Sequence, residues 1–330
     1  MITTFLATLN PMLMLFLCIA VGYALRTAKI LDDHAGKTMA KLVTWVFSPA
    51  LNFSVTAKNC TVETISTHAT NILLETFGVA VALGLSIAIA PLIIRKKGAE
   101  RGVYLYALAF ANNGYIGDPL VLALFGDKAL AFFKIFCLPL TIAIYTWGLS
   151  VLIPDGEKKG NALKKILNAP TVALLLGMAV GLSGLGAHIP VFLNNSLDTL
   201  KVCMGPTGML LAGFTVANYS LKAMLKNKKV YVATFLRLTV LPSIIIGAIF
   251  GLKEIMNAAF SLSIDNSVLH LAFFATAAPL GLNTIIFPEA FGGNPKTGAG
   301  MTLISHTLCV ISIPIMYALL TLIFGPITIA

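Results

Sequence analysis

Apolar positions fall in runs of about twenty residues that recur along the whole chain, each parted from the next by a short polar stretch. Neither the alternation of a half-buried strand nor the single apolar stripe of a soluble helix describes them. Runs of that length match the hydrocarbon thickness of a bilayer. Ten spanning helices are therefore predicted, over 5–25, 37–57, 70–94, 102–125, 129–153, 169–186, 195–217, 230–251, 268–290 and 299–324. The connections are short. Only the link 154–168, with Asp155, Glu157 and four lysines, reads as a boundary, dividing the chain into units 1–153 and 169–330. The predicted fold class is an all-α polytopic membrane protein.

Two of the runs are interrupted. Within segment 4, Asn112, Asn113, Gly114, Gly117, Asp118 and Pro119 crowd into eight residues. Proline has no N–H to donate and clashes with the preceding turn, and glycine weakens a helix further. Unpaired backbone in hydrocarbon costs several kcal/mol per group, so non-helical backbone survives there only where protein or water meets it. A break halfway through a membrane segment is thus a candidate binding site. Segment 9 holds a second such stretch, Ala277-Ala278-Pro279-Leu280-Gly281-Leu282-Asn283-Thr284.

Composition narrows the class. With 58% hydrophobic and 11% charged residues and a mean hydropathy of +0.90, a soluble globular chain is excluded. Five scattered cysteines (Cys18, Cys60, Cys137, Cys203, Cys309) have no metal-ligand spacing, and an odd number argues against a disulfide framework. No basic residue precedes the first apolar run, so a spanning helix is expected there rather than a cleavable signal. The net charge of +10 comes from clustered lysines and arginines: links 1–2, 3–4, 5–6 and 7–8 hold four each, and the intervening links one each. Basic short loops stay cytoplasmic. The link 154–168 is accordingly placed inside and both termini outside, in the plasma (inner) membrane. Lysines beside membrane helices meet anionic lipid, so the basic balance calls for the bilayer as partner and not for nucleic acid.

Five spans per half make any likeness between the halves an inverted repeat. Ile19-Ala20-Val21-Gly22 matches Met178-Ala179-Val180-Gly181, Ser48-Pro49 matches Gly205-Pro206, and Phe125-Gly126-Asp127 matches Phe291-Gly292-Gly293-Asn294. The last match sets Asn113 opposite Pro279 and Gly117 opposite Asn283. Interrupted segments in corresponding positions of two halves point to the site of a secondary transporter.

Phe110-Ala111-Asn112-Asn113-Gly114-Tyr115-Ile116-Gly117-Asp118-Pro119-Leu120, followed by Phe125-Gly126-Asp127, resembles the fourth-helix motif of the auxin efflux carrier family, part of the wider bile acid/auxin/arsenite carrier group. Ala278-Pro279 with Asn283 and the Ser305–Pro314 stretch is similar to its second-half signature, and Arg237 with Pro242 to its eighth helix. The resemblance implies two inverted five-helix repeats, with broken helices 4 and 9 crossing in a transport domain (segments 3–5 and 8–10). Segments 1, 2, 6 and 7 would form a scaffold, as in bile acid sodium symporters. It also implies permease activity toward malate, malonate or related small organic anions. Asp118 departs from the pattern, standing where the family usually carries an apolar residue.

The chemistry of the breaks agrees with that expectation. Crossed half-helix N-termini suit a carboxylate, and amide side chains add donors. The substrate-binding candidates are Asn112, Asn113, Gly114, Pro279, Asn283 and Asn52. Gly117, Pro119 and Pro279 make the breaks. Read structurally instead, the asparagines would be helix–helix hydrogen bonds, the prolines packing kinks and the glycines close-packing residues. Asp118 is a candidate for ion coupling, carrying a proton or ligating Na⁺ near Asn113, against a salt-bridged alternative. Glu75 and His306 are further coupling candidates. Arg237 and Lys134 are charge partners, with interface snorkelling and packing as the alternative readings. No cofactor and no certain metal are expected. A coupling H⁺ or Na⁺ and an organic anion are the expected partners, and a homodimer is kept open.

Rival classes fare worse. An intramembrane aspartyl protease needs two membrane aspartates, one in Gly-x-Gly-Asp, and Tyr115-Ile116-Gly117-Asp118 lacks the first glycine. A channel would use a repeated filter sequence, which is absent. A sodium-coupled bile-acid-type symporter of the same architecture is the nearest alternative. A carrier and not an enzyme is expected; no Gly-x-x-x-x-Gly-Lys-Ser/Thr loop is found, so the energy should come from an ion gradient.

Overall fold

The computed structural model describes residues 2–152, 169–291 and 295–327. The basic link 154–168 and the Gly292-Gly293-Asn294 stretch lie outside the described residues. Among those described every regular element is helical, and the extended backbone pairs at one isolated bridge, Ala111 with Leu280. The helices run α1 (Ile2–Thr27), α2 (Ala35–Leu42), α3 (Ser48–Asn59), α4 (Val62–Ile93), α5 (Ala99–Ala109), α6 (Asp118–Phe136), α7 (Leu138–Ala143), α8 (Leu149–Leu152) and α9 (Ala169–Leu182). They continue as α10 (Val191–Val202), α11 (Met204–Ala217), α12 (Leu221–Leu225), α13 (Lys228–Phe235), α14 (Leu241–Phe260), α15 (Ser267–Thr276), α16 (Asn283–Phe291) and α17 (Lys296–Phe324).

Among the described residues five helical runs are long and apolar enough to cross a membrane: Thr4–Thr27, Val62–Ile93, Val191–Ala217, Lys228–Phe260 and Lys296–Phe324. A sixth is added if Asn113–Phe136 and Leu138–Leu152, bent by 54° at their junction, count as one. Their outer faces leave Leu17, Leu92, Phe192, Ile311 and Ile323 exposed, a surface that lipid solvates and water does not. The other predicted segments are helical but shorter, kinked or broken. Gly126 (φ +81°) makes the turn inside α6, between the predicted segments 4 and 5. A left-handed backbone there admits glycine at no steric cost.

Proline placement explains most of the irregular turns. Single wide turns over Val43–Phe47, Asn113–Gly117 and Leu236–Val240 each end just ahead of a helix with proline at its second position, Pro49, Pro119 and Pro242. In each, the N–H of the residue before the proline reaches back five residues: Ser48 to Val43, Asp118 to Asn113, Leu241 to Leu236. The proline withholds its own donor, and the widened turn keeps the carbonyls bonded. A further wide turn, Ile144–Gly148, has no such proline.

Packing is by close approach of small residues, as expected where no hydrophobic drive separates helix from lipid. α1 lies against α11, and α3 against α9 and α10. A Cβ added at Gly22 would sit 2.1 Å from the Leu210 carbonyl oxygen, and one at Gly181 would sit 2.6 Å from that of Cys60. The two glycines that aligned between the halves therefore both allow backbone contact. Elsewhere α4 packs on α5 and α14, and α17 packs on α1 and α13.

Candidate functional site

The two predicted breaks meet. α5 ends at Ala109, the chain turns extended through Phe110 and Ala111, and a helix resumes only at Asn113. α15 ends at Thr276 and α16 begins at Asn283. Between these ends Ala111 bridges Leu280, and the Asn112 N–H donates to the Pro279 carbonyl at 2.8 Å. Pairing the two interruptions with each other satisfies backbone groups that neither helix can satisfy alone.

α17 holds the crossing from one side. The Leu280 N–H donates to Ser305 Oγ at 3.3 Å, and Asn112 Nδ2 donates to His306 Nε2 at 2.9 Å. With Nε2 accepting, the His306 proton belongs on Nδ1, which lies 3.3 Å from Ser305 Oγ. Asn283 Nδ2 donates to the Tyr106 hydroxyl at 2.8 Å, joining the start of α16 to α5.

Arg237 acts on both breaks at once. It is 1% exposed, in the wide turn before α14. Nη1 donates to the Leu108 carbonyl at 3.0 Å and lies 3.5 Å from that of Ala109; Nη2 donates to the Thr276 carbonyl at 2.5 Å. These are the terminal carbonyls of α5 and α15, the ends where helix dipoles leave partial negative charge. One guanidinium fork caps both. Its partners are carbonyl oxygens rather than a carboxylate. Glu75 is likewise 1% exposed, with Oε2 lacking a hydrogen-bond partner, so neither residue snorkels to an interface.

Two cavities adjoin the crossing. Ser48, Asn52, Asn112, Asn113, Lys134 and Asn283 line a polar one. Met14, Leu15, Leu122 and Leu130 line a mostly aliphatic one, together with Asp118, Pro119 and Lys201. Gly114 and Met204 border both. Lys134 and Asp118 form an ion pair that joins the two, with Asp118 2% exposed.

The predicted residues thus divide. Asn112, Asn113, Gly114, Asn283, Asn52 and Lys134 converge on the polar cavity. Asn52 also donates Nδ2 to the Pro170 carbonyl at 3.0 Å, tying α3 to α9. Pro279 is buried with its carbonyl taken by Asn112, and Gly281 and Leu282 face the cavity in its place. Gly117 serves packing, since a Cβ there would lie 2.8 Å from the Phe274 carbonyl oxygen. His306 and Arg237 stand behind the crossing as its supports. Among the described residues no cluster of three metal-ligating side chains occurs.

Sequence reasoning missed Tyr106, Met204 and an ionic cluster. Lys201 Nζ lies 3.0 Å from Asp127 and 3.1 Å from Asp198, and Asp198 also takes Lys58 at 2.9 Å and the Ser54 hydroxyl at 3.0 Å. The cluster binds α3 and α10 to the Gly126 turn. Those lysines had read only as the single basic residues of weakly charged links.

A helical membrane protein with two interrupted segments crossed beside a polar cavity belongs to the class of membrane transporters. The membrane transport protein family matches residues 7–317, nearly the whole chain, and this chain belongs to that family, the auxin efflux carrier family. It is also similar to an uncharacterized transporter of Methanocaldococcus jannaschii, 24% identical over 219 residues, which are 65% of this chain and 70% of that relative.

Proposed function

We propose that this transporter is a secondary carrier for a small mono- or dicarboxylate, driven by an ion gradient and working by alternating access. The observation that carries the reading is the polarity of the crossing. Arg237 occupies the negative ends of α5 and α15. The positive end of the segment that resumes at Asn113 remains, beside Lys134 and the amides of Asn112 and Asn113, whereas at the start of α16 the Thr284 and Ile285 N–H groups already donate to the Gly281 and Leu282 carbonyls. First-turn N–H groups have no intrahelical acceptor, and such an end favours a carboxylate. The substrate sits at Asn112, Asn113, Gly114 and Asn283, with Asn52 on the facing wall.

The architecture that goes with it is ten spans in two inverted five-helix repeats, 1–153 and 169–330, in the plasma membrane with both termini outside. Predicted segments 3–5 and 8–10 move as a transport domain against segments 1, 2, 6 and 7. The close contacts of α1 with α11 and of α3 with α9 support a rigid scaffold. The test is uptake of radiolabelled malonate, malate and citrate into proteoliposomes under separately imposed Na⁺ and H⁺ gradients. Accumulation of at least one is expected. Asn113→Ala should reduce its binding at least tenfold; unchanged affinity moves the site elsewhere.

A further inference from the structure

We propose that Asp118 is the protein's own stand-in for the substrate carboxylate: it pairs with Lys134 while the cavity is empty, and an entering organic anion takes Lys134 from it, leaving Asp118 to take up one proton. The proposal rests on the anion-carrier reading above and adds the coupling ion to it.

The geometry points this way through the position of the pair. Lys134 lines the polar cavity with the asparagines, whereas Asp118 lines the aliphatic one. The ion pair therefore spans the boundary between the place where an anion would sit and a pocket where a neutral acid would be at ease. Asp118 is held through Oδ2, while Oδ1 is buried without a hydrogen-bond partner. A carboxylate attached through one oxygen is the exchangeable kind, since a bidentate clamp would hold it more firmly.

Charge balance then requires a proton. Among the described residues no second cation stands ready for a displaced Asp118. Lys201 lines the same cavity but is engaged by Asp127 and Asp198, and Arg237 is engaged by the carbonyls. α4 brings Glu75, another buried carboxyl, and Cys137 lies in the same cluster. His270 of α15 is turned to Tyr317 at 3.2 Å. A buried carboxylate stripped of its cation is expensive, and neutralisation is the usual outcome. Before exchange the site holds Asp118⁻ and Lys134⁺. Afterwards it holds the substrate carboxylate, Lys134⁺ and a neutral Asp118, its O–H formed with a proton from the solution the anion came from. Counting the one carboxylate that pairs with Lys134, the net charge is the same in both states; the second carboxylate of a dicarboxylate brings its own charge and meets the amides of the polar cavity. Met14, Leu15, Leu122 and Leu130 provide no oxygen cage for a sodium ion in that pocket.

The experiment uses the purified full chain in lightly buffered, sodium-free solution with a pH-sensitive dye, at a pH where malonate and malate are fully ionised. In the wild type, binding of either should take up about one proton per anion, and apparent affinity should fall about tenfold per pH unit. In Asp118→Asn the proton uptake and the pH dependence of binding should both vanish, and accumulation driven by a pH gradient in proteoliposomes should be lost. Asp118→Glu should restore all three. Proton uptake unchanged in Asp118→Asn overturns the proposal. So does wild-type binding without proton uptake, a measurement that needs no folded variant. If the wild type neither binds nor exchanges labelled malonate or malate, the anion-carrier reading itself falls, and this proposal with it.

Discussion

Arg237 and His306 are the side chains on which the crossing most depends, and their partners are backbone and amide groups rather than carboxylates. Arg237→Met removes hydrogen bonds to buried carbonyls of two helices. At about 1.5–3 kcal/mol for each bond to a charged group, the loss is on the order of 3–6 kcal/mol. A marked fall in melting temperature in detergent is expected, with transport abolished. Arg237→Lys, with a point charge in place of a fork, should recover only part of it. An Arg237→Met protein that melted like the wild type would mean that the terminal carbonyls find other donors. His306→Phe strands the Asn112 amide and should destabilise by about 1–3 kcal/mol, whereas His306→Gln retains an acceptor and should lose less. These roles were only partly legible beforehand. A buried arginine in an apolar run announces a function, but no spacing rule states that it will reach across to Leu108 and Thr276.

At the scale of elements, the chain repeats one device: a wide turn followed by proline, at Pro49, Pro119 and Pro242. The prolines were visible in the sequence and so were the breaks in segments 4 and 9. The partner that each break would choose was not, because backbone pairing between residues 111–112 and 279–280 is set by three-dimensional proximity. Helix contacts follow glycines. Gly22→Leu should force α1 from α11, since even a Cβ meets the Leu210 backbone. Overpacking of this kind costs about 1–3 kcal/mol or more. Thermal stability of Gly22→Leu compared with Gly84→Leu, where nothing lies within 4 Å of the added Cβ, would measure it. Equal losses at the two positions would show that α1 and α11 are not in contact.

Across the whole molecule, the ionic cluster of Lys201, Asp127, Asp198 and Lys58 ties α3 and α10 to the Gly126 turn between segments 4 and 5. If those segments move against the scaffold, that tie breaks and reforms in each cycle. Asp127 is more than half exposed, so its pair with Lys201 is worth at most about 1 kcal/mol. Asp127→Asn should therefore change exchange rates less than about fivefold. Lys201→Met deprives two carboxylates together and should change them more, favouring the state in which the turn has left α10. Rates of labelled-anion exchange in proteoliposomes, compared for the two variants, provide the check. Equal effects would mean that Asp198 and Asp127 do not share Lys201.

Hydropathy by itself determined that the chain is a helical membrane protein, because bilayer thickness acts on local sequence. The cluster of Asn112 to Pro119 marked the segment that breaks but not the place: the non-helical residues are Phe110 to Asn112, and Gly117 and Pro119 lie in helical turns that resume at Asn113, because the wide turn keeps the carbonyls before Pro119 bonded. Tertiary structure alone decided that the two failures satisfy each other, that Arg237 closes the negative ends beside them, and that Asp118 faces Lys134 across the border of two cavities. Those are contacts between residues from 16 to 194 positions apart, such as Asp118 with Lys134 and Asn112 with His306. Periodicity carries no information at that range; only packing brings such groups together.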